Sequence, residues 1–359
     1  MKRKLKALIP KHLSPPRLGR RRKSGDAPPP RITNNTVAAN REEVIGSARK
    51  YILPLTQSKN QIVRISVILF IVALVTFTTY SLLSLYRFKS TSTFLYRITQ
   101  VIPFPVAKTG PDYVAYENYL FELRRYTHFY VNQQRLNFQD EDGAQQLADF
   151  KTQALNKVIA GAYVRQLAEA NGVSVSGAEI DQQISIVRNQ NRLGSSDDVF
   201  EDVLRDYWGW SVSDFRRSLQ NELLAQKVVA KLDTATTDRA SAALAELTPN
   251  AAGAAGADFA AVAAKASDDD SKANGGEYGF PIEKTSRNVN PAIIEALFKL
   301  KPGQTSGIIN TGFQLQIVKN IETNDNKIRA AHIVFNFKDA KTYIDQQKTK
   351  APERRFINP

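Results

Sequence analysis

Three consecutive stretches decide how this chain reads: ASDDDSKANGGEYGF (266–280), NPAIIEALFKLKPGQ (290–304) and TSGIINTGFQLQIVKNIE (305–322). The second has the spacing of a helix, and the third holds two strands. Upstream, Asp238 to Leu247 and Ala257 to Ala266 read as helices, joined by the low-complexity run Pro-Asn-Ala-Ala-Gly-Ala-Ala-Gly. Helices followed by strands predict a small α+β domain.

The same residues resemble the parvulin prolyl isomerases, whose members read approximately "S.D.S…GGDLGWF" and "P.FE.A.F.LKPGE.S.PV.T.FGYHII". The pair Gly275-Gly276 with Gly279, and the spacing on to Lys301-Pro302-Gly303, are the most specific signal in the chain. One part of the pattern is misplaced. A parvulin begins with a strand of the type "A.HILV", and nothing between Val228 and Asp238 fits it. Instead KIRAAHIVFNF (327–337) follows the last expected strand through the polar turn Thr323-Asn324-Asp325-Asn326. First and last strands of a parvulin lie side by side and antiparallel, so a hairpin places 327–337 in the vacant slot of a circularly permuted domain. The alternative is a second parvulin unit that stops after 29 residues; such a stub buries no core and exposes an apolar strand edge.

The resemblance implies a set of site residues. His332 takes the place of the first-strand histidine, and Asp269 that of a Cys or Asp. Gln316 replaces the usual last-strand histidine, and Gln314 the glycine before it. Ile293 and Val289, with Phe298 and Phe280, are the expected substrate-binding residues around the proline ring. The implied reaction is X-Pro cis/trans isomerisation, whose barrier of roughly 18–20 kcal/mol comes from amide resonance. Catalysis needs neither nucleophile nor metal nor cofactor. It needs an apolar slot for proline, removal of water from the carbonyl and electrostatic support of the twisted amide. Gln316 donates and accepts hydrogen bonds but does not titrate, so the polar pair of the family is half kept.

Outward from this unit the chain is helical. Tyr116 to Asn137, Gln145 to Ala170, Gly177 to Arg192, a short helix from Asp197 to about Tyr207 and a fifth to about Leu232 follow from periodicity. Ser176 with Glu179 makes a capping box, and Ser213 is the expected cap of the fifth helix. Val106 to Lys108 and Asp112 to Ala115 flank a turn and predict a small hairpin. The apolar stripes read as core rather than as a ligand groove. His128 has no evident partner as a ligand or base, and Trp208 and Trp210 read as packing. The runs ALNKVIAGAYVRQLAEANGVSVSGAEIDQQISIVRNQ and FEDVLRDYWGWSVSDFRRSLQNELLAQKV resemble the helical N-terminal chaperone domain of SurA/PrsA-type foldases over about 113–232. That resemblance implies a partner class, unfolded or secreted polypeptides containing X-Pro.

Ile65 to Tyr86 is 22 residues without a charge, ISVILFIVALVTFTTYSLLSLY, between Arg64 and Arg87. At ~1.5 Å per residue a helix of that length covers about 33 Å, enough for a hydrocarbon core of ~30 Å. No small-residue cleavage site follows, so the reading is a signal anchor in the lipid bilayer. The chain of 359 residues has 49 Lys+Arg against 35 Asp+Glu, formally +14. Residues 1–64 hold 16 of those basic residues against 3 acidic ones, and the remainder is close to neutral at +1. The excess is therefore a local tail, read as disordered and cytoplasmic, and no specific nucleic-acid partner is expected. Basic residues near the span, five over 41–64 and four over 87–110, barely discriminate its orientation; the tail's total charge puts residues 87–359 outside the cytoplasm. Absence of Cys excludes disulfides, thiolate zinc sites and cysteine nucleophiles.

The expected organisation is a basic tail (1–64), the span (65–86), a linker with the hairpin (87–112) and a chaperone-like helical domain (113–234). A parvulin-like domain (235–340) and a C-terminal tail (341–359) follow. The leading functional reading is a membrane-anchored foldase with isomerase activity. The competing one, motivated by Gln316 and Gln314, is a holdase or scaffold with a lapsed parvulin fold. A third, RNA or ribosome binding by residues 1–64, predicts strongly salt-dependent binding.

Overall fold

The computed structural model describes residues 32–190, 196–249 and 256–358. The first 31 residues of the tail, the end of the helix expected to reach Arg192 and most of the alanine–glycine run lie outside them. The described part is mostly helical with small antiparallel sheets, an α+β chain. It divides into two compact units, one up to Phe77 and one from Thr78 onward.

The first unit is the greater part of α1 (Asn34–Leu82). The disorder expected across 1–64 therefore fails from Asn34 on. A helix already nucleated in an apolar segment extends by one hydrogen bond per residue without a new nucleation cost. Asn60–Arg87 is long and apolar enough to cross a membrane.

In the second unit α1 passes into a π-helical turn, Leu83–Arg87. The expected linker is structured: α2 (Thr93–Val101) is capped by Ser92, and β1 (Pro105–Thr109) pairs with β2 (Asp112–Ala115). Five helices follow, α3 (Tyr116–Asn132), α4 (Glu141–Ala170), α5 (Gly177–Gln190), α6 (Asp197–Trp208) and α7 (Val212–Leu232). The cap of α7 is Ser211, not Ser213. Its hydroxyl accepts from the Asp214 amide while the Asp214 carboxylate accepts from the Ser211 amide, and the chain turns helical two residues earlier than the pattern suggested. The core of this region joins Tyr116, Tyr119, Leu120, Leu155, Ile159 and Tyr163.

Next come α8 (Thr234–Leu247), α9 (Phe259–Ala266), a 3₁₀ turn (Asp270–Asn274), α10 (Pro291–Lys299), β3 (Ile309–Asn310), β4 (Gln314–Asn324) and β5 (Lys327–Asn336). The sheet order is β3-β4-β5, with Glu277 and Ile282 bridged to the far edge of β5. β4 and β5 pair antiparallel across the turn at Asp325, whose φ of 54° is one that Asp tolerates. Both faces of the sheet are covered, so the strands do not alternate simply between apolar and polar. Leu315, Ile317, Ile333 and Phe335 pack on α8 and α9, while Val318, Ala330 and Ile328 face α10.

The C-terminal residues are not a tail. α11 (Ala340–Lys350) packs on α4 and α7, and β6 (Glu353–Arg355) pairs with β1 to complete a second sheet, β2-β1-β6. Tyr163 donates to the Ala351 carbonyl at 2.7 Å, and Ile344 and Ile357 are buried. Local sequence gave no sign of this, because β6 is three residues long and polar until paired.

Candidate active site

The α10 face of the sheet ends in a polar cluster. Gln316, Val318, His332 and Val334 share it, since Val318 stands opposite His332 and Gln316 opposite Val334. Above them runs the segment from Ser267 to Ser271, fastened to β5. The Asp268 amide donates to the Val334 carbonyl at 2.8 Å, and the Asn336 amide donates to the Asp268 carboxylate at 2.8 Å. The Val334 amide donates to Ser267 Oγ at 2.9 Å. The Ser267 hydroxyl is thereby left to donate to Asp269 Oδ1, at 2.5 Å.

Asp269 Oδ2 lies 2.9 Å from His332 Nε2, which is also 3.0 Å from Ser271 Oγ. A carboxylate only accepts, so Nε2 carries the proton and Nδ1 is a bare acceptor. Nδ1 is buried without a hydrogen-bond partner among the described residues. Burial holds the imidazole below its ordinary pKa of 6.5, against the pull of Asp269. Burial alone would push Asp269 up, but hydrogen bonds from Ser267, Ser271 and His332 outweigh it and leave the carboxyl below its ordinary 3.8. The pair at neutral pH is thus a carboxylate and a neutral imidazole.

Tyr278 ties this pair to Gln316. Its ring lies 4.0 Å from the His332 ring, centre to centre, and its hydroxyl donates to Gln316 Oε1 at 3.3 Å. With Oε1 taken, the Gln316 amide is oriented with its Nε2 donors free of that contact. Burial, then the Asp269 charge, pushes the phenol well above its ordinary range, so it stays protonated. The close approach of loop and strand requires Gly276, which has φ of 83°; a Cβ there would stand 2.2 Å from the His332 carbonyl oxygen. That contact carries the bond from the His332 amide to the Gly276 carbonyl, 2.8 Å.

Of the residues expected from sequence, Asp269 and His332 touch, and Gln316 joins them through Tyr278. The expected proline pocket does not assemble as foreseen. Ile293 and Val289 are buried in the core between α10 and the sheet, with Ile282 and Leu297. Helix α10 turns Ile293 inward and the segment leading into it buries Val289, so neither presents a surface. Phe298 packs partly on the same core, with the Lys284 ammonium 5.3 Å from its ring centre. Phe280 remains at the surface, 39% exposed and edge-on to Tyr278 at 5.8 Å. Gln314 lies at the start of β4, opposite Asn336. Ser267, Ser271 and Tyr278 were not singled out from sequence, although the serines flank Asp269 at two residues on either side.

Comparison with known families identifies two domains. Residues 53–229 match the SurA-like N-terminal domain, and residues 224–322 match the PPIC-type PPIase domain. The chain thus has the domain order of a SurA/PrsA-type foldase, and by its second domain it is a peptidyl-prolyl cis–trans isomerase. No curated protein matches it. The isomerase match stops at Glu322, short of the strand that carries His332.

Proposed function

We propose that this chain is a membrane-anchored foldase: residues 65–86 anchor it, the helical domain holds unfolded secreted polypeptides, and the sheet domain isomerises their X-Pro bonds. The carrying observation is the Asp269–His332 pair, linked through Tyr278 to Gln316 on one sheet face. The proline ring rests against Phe280 and the Tyr278 edge. Asp269 and the serines hold His332 neutral and fixed, and the Gln316 amide faces the twisting carbonyl. A fixed polar frame beside an apolar wall favours the twisted amide over the planar one, because the latter keeps its resonance dipole best in water. The basic tail, 16 Lys+Arg against 3 Asp+Glu, supports a cytoplasmic N-terminus.

We read the isomerase domain as circularly permuted. β5 lies antiparallel beside β4, and its end adjoins the start of α8: the Lys338 amide donates to Asp233 Oδ2 at 2.8 Å, and Asp233 caps α8. Joining 338 to 234 would give the order strand, helices, strands of an unpermuted parvulin.

A proline-limited peptide assay on the full chain in detergent tests the enzymatic reading. Wild type is expected to accelerate isomerisation, with Asp269→Ala and His332→Ala each slower by about 10- to 100-fold, the scale of a lost charge-assisted contact. Rates at the uncatalysed value for wild type as well would leave a holdase with a lapsed site.

A further inference from the structure

The apolar run 65–86 does not end free of the globular domain. Ser81, Ser84 and Leu85 are buried, and the Leu85 carbonyl accepts from the Tyr116 hydroxyl at 2.8 Å, inside the main helical core. Tyr86 donates to the Pro105 carbonyl at 2.6 Å, and the Ser90 amide closes back on the Ser84 carbonyl at 2.9 Å. One side of the last turn, Ser81, Ser84 and Leu85, therefore belongs to protein, while Leu82 and Leu83 on the other side stay exposed. On the anchor reading the span merges with the domain at its end, which brings the domain's own surface to the bilayer.

The surface at this junction suits entry. Phe88 is 74% exposed, and α2, already packed on the core through Leu95 and Thr99, turns Phe94 (57%) and Val101 (82%) outward. Phe94 and Val101 are seven residues apart, two turns on one helix stripe, with Arg97 between them. Arg87, Lys89 and Arg97 have no ion-pair partner among the described residues. Large apolar side chains beside unpaired cations, continuous with a membrane span, match the acyl and phosphate layers of a lipid surface.

We infer that α2 and the 87–89 turn lie in the membrane interface, with Phe88, Phe94 and Val101 among the acyl chains and Arg87, Lys89 and Arg97 at lipid phosphates. The helical domain is then seated on the bilayer with a fixed orientation, not tethered above it. This rests on the anchor reading.

The chain has no Cys, so single nitroxide labels can be placed on the full-length protein in phosphatidylethanolamine–phosphatidylglycerol liposomes. Positions are Val72→Cys in the span, Phe94→Cys and Val101→Cys on α2, and Val199→Cys and Phe313→Cys as exposed controls. Collision with oxygen and with a water-soluble nickel chelate is then measured. The expected result is a several-fold higher oxygen-to-nickel ratio at 72, 94 and 101 than at 199 and 313. A lipid-like 72 with water-like 94 and 101 overturns the inference and leaves the anchor. A water-like 72 overturns the anchor reading itself. Labels at 94 and 101 that lose collisions with both reagents are covered by protein, such as a second copy, and that also refutes a lipid contact.

Discussion

Removing β5 is the perturbation that bears hardest on the architecture. Its Ile328, Ile333, Val334 and Phe335 are all buried, and together they serve both faces of the sheet. At about 1.5–3 kcal/mol for each such side chain, four of them contribute roughly 6–12 kcal/mol. That is comparable with the whole stability of a domain, about 5–15 kcal/mol. A chain ending at Asp325 is therefore expected to lose the fold of α8 to β4, while one ending at Asp339 keeps it. The second truncation removes only α11 and β6, which pack on the helical domain. Amide hydrogen exchange across 234–324 separates the two, because it reads the sheet domain locally. Placing 327–337 directly ahead of Thr234 in the shorter chain is expected to restore protection. Equal protection of α8 to β4 in both truncations would refute the reasoning, and with it the permuted arrangement.

Other consequences follow from the site. Stability should decline as pH falls below 6.5, since His332 has a folded pKa under its ordinary value, and isomerase activity should fall only at lower pH, where the folded imidazole itself takes up a proton. Between the two values the unfolded chain binds more protons, so acid favours unfolding. Asp269, also depressed, adds to the loss in the same direction below about 4; pH-dependent urea melts alongside peptide assays check both. Gln316→His should keep activity and add an acid limb to its pH profile, and a profile unchanged from wild type would argue that position 316 lies outside the reacting field. Tyr278→Phe removes one neutral hydrogen bond, a cost of about 0.5–1.5 kcal/mol, and should lower kcat more than it raises KM. Gly276→Ala should cost more than the ~1–2 kcal/mol of a left-handed alanine, because its Cβ also meets a backbone carbonyl; a thermal melt within a degree of wild type would contradict this.

Much of the molecule was legible without coordinates. The uninterrupted apolar run marked a helix long enough to cross a membrane, the helical periodicity marked α3 to α7, and the glycine pair with Lys301-Pro302-Gly303 marked the sheet domain, because each is a local pattern whose physical meaning does not depend on distant residues. Asp269 and His332 were singled out through their motif contexts, and their side chains do meet. What sequence did not carry was anything set by contact between remote segments. Tyr278 is one aromatic among many until β5 brings His332 under its ring. Ile293 and Val289 look like a pocket until α10 and the segment leading into it bury them in the core. β6 is three polar residues until β1 supplies its partners. The apolar run looks uniform over 22 residues until Tyr116 and the helical core bury one side of its last turn. Periodicity and composition fix what a segment can be, whereas burial and hydrogen-bond partners, which only the tertiary structure assigns, decide what each side chain does.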